Sequence, residues 1–296
     1  MSNIADQIKD QFRQGDNLTR IIMINIAVFV LMLILEMVAF LATGSGSGMG
    51  NFVRQWFALS SDPVTFITRP YTLITYMFLH GGFFHLLFNV LILFFSGRLF
   101  VEYLGDRRLL TVFLYGGIAG GMLFFVMYNI SPAFTAGVPL VGASAGVVAV
   151  LVAVATYSPN LPVRLFFVIE VKLWIVAALA VVSYIAGVNG ANSGGHLAHL
   201  GGAALGYFFV AALRKGNDWS IGFYNFYDKL MGAFDSKPKL KKVYTAPKSS
   251  STAYQAPAHN KSDQQRVDEI LDKISKSGYD KLTKEEKDFL FKFGKK

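Results

Sequence analysis

Six blocks of apolar residues divide this 296-residue chain, near Ile21–Thr43, Phe83–Phe100, Leu109–Tyr128, Ala143–Tyr157, Leu173–Ala186 and Gly195–Leu213. A helix needs about 20 predominantly apolar residues to cross a bilayer, and backbone polar groups in lipid must be satisfied internally. The expected fold class is therefore all-α: a polytopic membrane protein of six helices followed by a soluble C-terminal tail. Several blocks are short and rich in glycine, which suits helices packed among neighbours. The first block is too long for a signal-peptide core and reads as a retained span.

Charge agrees with this division. Only 16% of residues are charged and 53% are hydrophobic, whereas a soluble domain carries about 25% charged residues. The net charge of +9 is concentrated late: from Arg214 onward there are 18 basic and 11 acidic residues. That tail suits solubility and attraction to an anionic leaflet, not nucleic-acid binding. Cysteine is absent, which excludes disulfides, thiolate catalysis and cysteine zinc sites.

Basic residues also orient the chain. Lys9, Arg13 and Arg20 precede the first block; Arg98, Arg107 and Arg108 fall between the second and third. Arg164 and Lys172 separate the fourth and fifth, and Arg214 and Lys215 follow the sixth. The loops Asn129–Leu140 and Gly187–Gly194 have neither Lys nor Arg, although the long first connection keeps Arg54 and Arg69. The positive-inside rule predicts cytoplasmic termini. The expected division is a cytoplasmic segment over residues 1–20, a membrane domain over 21–215, a linker over 216–261 and a helical hairpin over 262–296. The aromatic connection Gly44–Gly82, broken by Pro63 and Pro70, suits the membrane interface better than a seventh crossing. In the tail, Val267, Ile270, Leu271 and Ile274 share one helical face, Gly278 can end that helix, and Thr283 with Glu286 forms a capping box for the next.

Chemistry-bearing residues lie inside the apolar blocks. Gly142-Ala143-Ser144-Ala145-Gly146 opens the fourth, and His196 and His199 stand near the start of the sixth. Gly-x-Ser-x-Gly alone is a weak signal, because Gly142 and Gly146 also satisfy a small-xxx-small helix contact. With alternating topology, however, Ser144 and His199 reach similar depth from the same side. An imidazole there can take the serine proton during attack and return it to the leaving amine. His85 and Asn89, four residues apart, share one face at the same end of the second block. With the Ser144 backbone N–H they could form donors for an oxyanion.

His80-(x)4-His85-(x)3-Asn89, the serine pentapeptide, and Ala198-His199-Leu-Gly-Gly202-(x)3-Gly206 together resemble the three signature motifs of rhomboid intramembrane serine proteases, across about residues 20 to 215. Glu102, Gly105, Arg107 and Arg108 resemble the family's loop after the second span. The resemblance implies a six-helix core, Ser144 as nucleophile and His199 as base without a carboxylate, and His85 and Asn89 in the oxyanion hole. It further implies that His80 braces the site from the first loop. Gly202 and Gly206 would let the sixth span approach the fourth, supported by Gly142 and Gly146. His196 is the rival base; the Gly202 and Gly206 spacing counts from His199. The chain departs from the pattern at Tyr71-Thr72, where many members have Trp-Arg, and at Val148, where some members stack an aromatic residue on the base.

The function implied is an endopeptidase cutting single-span segments of other membrane proteins near the outer face. No metal or organic cofactor is expected. Partners would be transmembrane substrates, the lipid bilayer and a cytoplasmic partner for the tail. A non-catalytic binder of membrane segments is the alternative; a proton-relaying transporter would need more acidic residues at depth than Glu36. With no organelle transit peptide evident, the expected location is a bacterial plasma membrane.

Overall fold

The computed structural model describes residues 3–44, 47–165, 169–234 and 261–293. They fall into two compact units, Met1–Ser236 and Lys237–Lys296. In the first unit, α1 (Ile4–Gln14) precedes α2 (Asn17–Thr43), whose start is capped by the Asp16 carboxylate accepting from the Thr19 N–H at 2.8 Å. Among the described residues, four helices have the length and apolarity to cross a membrane: α2, α6 (Phe83–Leu104), α7 (Asp106–Ile130) and α10 (Ser193–Arg214). Two shorter apolar helices, α8 (Ser144–Tyr157) and α9 (Leu173–Gly187), complete the bundle. The protein is an integral membrane protein built as a helical bundle.

The helices outrun the apolar blocks at their ends. Block two was expected to stop at Phe100, yet α6 continues to Leu104 and only Gly105, at φ 87°, separates it from α7. Polar residues hold this sharp corner together. Asn17 donates to the Asp106 carboxylate from its backbone and its side-chain amide, both at 2.7 Å, joining the starts of α2 and α7.

Burial separates the helices by role. α8 is enclosed: Ala145 through Ala155 are all buried, so its apolar character on every side is explained by protein neighbours. In α2 only Leu18, Ile21 and Asn25 are buried, while Leu31, Leu33, Ile34 and Leu41 are exposed. In water such a face would be a liability; in lipid it is matched to its solvent.

The connection between α2 and α6 is built from short pieces: α3 (Ser47–Phe57), β1 (Leu59–Ser60), α4 (Pro63–Thr68) and α5 (Thr72–Thr75), then a 3-10 turn over Tyr76–Phe78. The departure at Tyr71-Thr72 does not leave it loose. The Arg69 guanidinium lies 3.9 Å over the Trp56 ring and donates to the Gln55 carbonyl at 2.6 Å. Antiparallel pairing of β1 with β2 (Pro139–Leu140) then ties this connection to the segment that enters Gly142. A β-hairpin, β3 (Pro162–Leu165) with β4 (Ile169–Lys172), joins α8 to α9. These ribbons are additions to an otherwise helical fold.

The stretch expected as a linker begins with a helix, α11 (Trp219–Phe234). Its aromatic residues supply the reason: Trp219 packs edge-on against Phe209 of α10 and Phe223 against Tyr115 of α7. Residues 235–260, the core of the expected linker, lie outside the described residues. In the second unit, α12 (Lys261–Ser277) ends at Gly278, which has φ 81°, and α13 (Lys284–Phe293) follows a 3-10 turn. Thr283 and Glu286 cap α13 reciprocally, the Thr283 N–H donating to the carboxylate at 2.8 Å and the Glu286 N–H to the hydroxyl at 3.3 Å.

Candidate active site

Close approach of backbones builds this site. A Cβ placed on Gly202 of α10 would overlap the Ala145 carbonyl of α8, and one on Gly206 would overlap the Ala149 carbonyl. With hydrogen in place of a methyl, α10 settles against the first turns of α8. His199, three residues before Gly202, is thereby delivered to Ser144 at the start of α8. The Ser144 Oγ and the His199 Nε2 are 2.6 Å apart, a short hydrogen bond.

Both side chains are half-buried in a protein interior that is mostly apolar. If the serine hydroxyl donates, His199 accepts through Nε2 and carries its proton on Nδ1. That Nδ1 is buried and has no hydrogen-bond partner among the described residues. Among the described residues, therefore, no carboxylate orients the imidazole. Asp106 is engaged with Asn17 at the other end of the bundle.

Gly142 and Gly146 serve different neighbours. Gly142 has φ 129°, a conformation L side chains rarely adopt, and an added Cβ would sit 2.8 Å from the His85 ring. Gly146 instead faces Phe113 of α7, whose carbonyl would lie 2.6 Å from a Cβ there. The first glycine makes room for His85 beside Ser144, and the second allows α7 to pack on α8.

His85 Nδ1 accepts the Gly81 backbone N–H at 3.3 Å. In a neutral ring the proton then belongs on Nε2, the nitrogen lying against Gly142. Asn89 is buried and donates one amide hydrogen to the His85 carbonyl at 2.9 Å, which leaves its second for another acceptor. The Ser144 N–H lies in the first turn of α8, where backbone donors have no intrahelical acceptor. These groups surround a cavity of about 460 Å³ lined by His85, Asn89, Ser144, Tyr184 and His199, and by the Val138–Val141 segment.

Two candidates stand elsewhere. The His80 ring contacts His85 edge-to-face at 5.1 Å, but it lines a separate cavity of about 230 Å³ shared with Glu36 and Arg54. His196 makes no bond to Ser144; its ring fills the space against Gly187 of α9, where a Cβ would overlap it. One member of the cavity carried no signal in the sequence. Tyr184 of α9 places its ring 4.5 Å from that of His199. An isolated tyrosine in an apolar block has no motif around it, so only the packing of α9 reveals its neighbour. Among the described residues no group of His, Asp or Glu has the arrangement of a metal site.

The family model for the rhomboid domain matches residues 68–216, and residues 258–296 match a family of unknown function (DUF6576). The chain is similar to a protein named RHOMBOID-like protein 12, mitochondrial, from Arabidopsis thaliana. The two are 29% identical over 161 residues, covering 50% of this chain and 48% of that protein. It is also similar to Presenilin-associated rhomboid-like protein A, mitochondrial, from Danio rerio, at 31% identity over 176 residues, covering 55% of this chain and 42% of that one. The chain spans about half the length of these curated relatives. Both are mitochondrial by name, whereas the sequence reading expected a bacterial plasma membrane. The rhomboid match covers half of the chain and takes in every residue from His80 to Gly206 that forms the cavity and its supports, and on that ground the chain belongs to the rhomboid family.

Proposed function

We propose that this protein is an intramembrane serine endopeptidase that cleaves transmembrane segments of other membrane proteins. The observation that carries the reading is the 2.6 Å contact between the Ser144 hydroxyl and the His199 imidazole at the edge of a cavity large enough for a peptide segment. His199 Nε2 takes the hydroxyl proton as Ser144 Oγ attacks the scissile carbonyl. His85 Nε2–H, the free Asn89 amide hydrogen and the Ser144 N–H stabilise the oxyanion. His199 then returns the proton to the leaving amine, and the C–N bond breaks. A water molecule, deprotonated by His199, attacks the acyl-serine ester, and Ser144 recovers its proton as it leaves. Donors fixed before the reaction stabilise developing charge without reorganisation, which is where an enzyme of this kind gains most of its rate.

The basic residues support an orientation. Arg108 at the start of α7 pairs with Asp218 after α10, and Arg214 donates to the Thr156 carbonyl at the end of α8. Those ends lie opposite Ser144 along α8. With basic ends cytoplasmic, cleavage occurs near the far face, and both termini of the membrane domain are cytoplasmic. The domain is taken as residues 21–215 and the tail hairpin as 262–296, the latter presented to a cytoplasmic partner.

The test is incubation of the full chain, in detergent or nanodiscs, with a labelled single-span substrate. Cleavage that Ser144→Ala and His199→Ala both abolish supports the reading. Substrate capture without cleavage, and no fluorophosphonate labelling at Ser144, would instead favour a non-catalytic binder of membrane segments.

A further inference from the structure

The histidine that meets Ser144 has an unusual problem of support. Its second nitrogen, Nδ1, is buried and meets no hydrogen-bond partner among the described residues, which leaves the contact at Nε2 as the polar hold on the ring. Rotation about its side-chain torsions would break the 2.6 Å contact at Nε2. Something apolar must hold it, and the residue one turn after the serine, Val148, has no aromatic face to offer.

We propose that Tyr184 is a positioning residue for His199, supplying from α9 the aromatic surface that sets the imidazole orientation. Its ring centroid lies 4.5 Å from that of His199, tilted by 56°. His196 is farther, at 6.1 Å, and nearly perpendicular at 89°, so it offers an edge where Tyr184 offers a close contact. Tyr184 is itself held. Three residues on, Gly187 lets α9 close on His196, where an added Cβ would overlap the imidazole. Its neighbours Val182 and Ile185 are each 60% exposed, so α9 turns one aromatic side chain inward while its flanks face outward. No hydrogen bond to the Tyr184 hydroxyl occurs among the described residues, so the contact made with the histidine is through the ring.

This rests on the serine–histidine reading above, and it adds a dependence which that reading lacks. The base is carried by α10 but aligned by α9, a peripheral helix bearing neither the serine nor the histidine. A displacement of catalytic groups by about 1 Å can cost on the order of a hundredfold in rate, so loss of the ring should register in turnover before it registers in binding.

The experiment compares wild type, Tyr184→Phe and Tyr184→Leu as full-length proteins in nanodiscs, with Tyr184→Met in reserve should the leucine variant not fold. Two readouts are taken: kcat and KM on a labelled single-span substrate, and the NMR shifts of the His199 ring protons, which a neighbouring aromatic ring current displaces. Tyr184→Phe should keep both the displaced shifts and kcat. Tyr184→Leu should lose the displacement and lower kcat by about tenfold to a hundredfold with little change in KM. Unchanged kcat in the leucine variant, or an equal loss in the phenylalanine variant, would overturn the proposal. Shifts insensitive to both substitutions would overturn it whatever the activity. If wild type does not cleave while the shifts respond to leucine and not to phenylalanine, the protease reading fails and the positioning contact stands.

Discussion

Gly202 of α10 faces the carbonyl oxygen of Ala145 of α8 with no space between them for a methyl group. This contact sets the distance between the helices that carry His199 and Ser144. Gly202→Ala should force α10 outward, destabilise the bundle by about 1–3 kcal/mol and abolish fluorophosphonate labelling at Ser144. Gly222 of α11 is the control, since nothing lies within 4 Å of its added Cβ. There alanine should leave labelling intact and gain up to about 1 kcal/mol of helix propensity. Thermal unfolding and labelling read both effects; equal behaviour of the two variants would refute the close-packing account.

His196 and His199 are separated by position in a simple way. The His199 ring reaches Ser144, while the His196 ring occupies the gap left by Gly187. His199→Ala should reduce cleavage by at least about a hundredfold, as loss of a general base does. His196→Ala should act mainly on stability, through an unfilled space between α9 and α10. A preserved rate in the His199 variant would reassign the base.

Gly142→Ala probes the donor side. The new methyl would strain a backbone at φ 129° and press on the His85 ring. Displacing one oxyanion donor typically costs about a hundredfold to a thousandfold in kcat. The loss should fall on kcat, with KM little changed. Steady-state kinetics decide; a rise in KM alone would mean that Gly142 matters for binding rather than for charge stabilisation.

At the opposite end, Arg108 Nε donates to Asp218 at 2.8 Å. Burial alone would raise the Asp218 carboxyl, but hydrogen bonds from Ser220 and Arg108 outweigh it and hold the group below the usual carboxylate range. A depressed folded value means that this stabilisation is complete above the unfolded carboxyl value of about 3.9 and is lost as pH falls below it. Because the Arg108 side chain is 36% exposed, solvent screening should keep the coupling in a double-mutant cycle at about 1 kcal/mol or less. Unfolding in detergent should show Arg108→Ala less stable than wild type at neutral pH, with the gap narrowing on acidification. A gap independent of pH would show that the arginine acts through packing.

Much of the bundle could be read without coordinates. The apolar blocks located every helix of the membrane core because hydropathy over a crossing length is a local property, and α2, α6 and α10 overlap their blocks closely. The Thr283–Glu286 capping box was legible for the same reason, since its partners are three residues apart. Helix ends were less legible. Polar residues such as Asn17 and Glu102 continue a helix beyond the apolar stretch, and hydropathy does not register them.

α11 went unread because its order depends on Trp219 and Phe223 finding Phe209 and Tyr115, distant partners that no local window contains. The paired role of Arg69 and Trp56, thirteen residues apart across a folded connection, is of the same kind.

By itself, the sequence determined that the chain crosses a membrane as packed helices, and that a serine and a histidine approach one depth from one side. Hydropathy, glycine spacing and alternating topology act along the chain and need no knowledge of what packs where. The rhomboid resemblance already favoured His199 over His196 through the Gly202 and Gly206 spacing. What needed tertiary structure was the 2.6 Å contact with Ser144 itself, the different neighbours of Gly142 and Gly146, and the place of Tyr184 against the imidazole. Each is a contact between helices brought together by close packing, and the rotation of one helix against another is fixed by the fit of all their side chains at once.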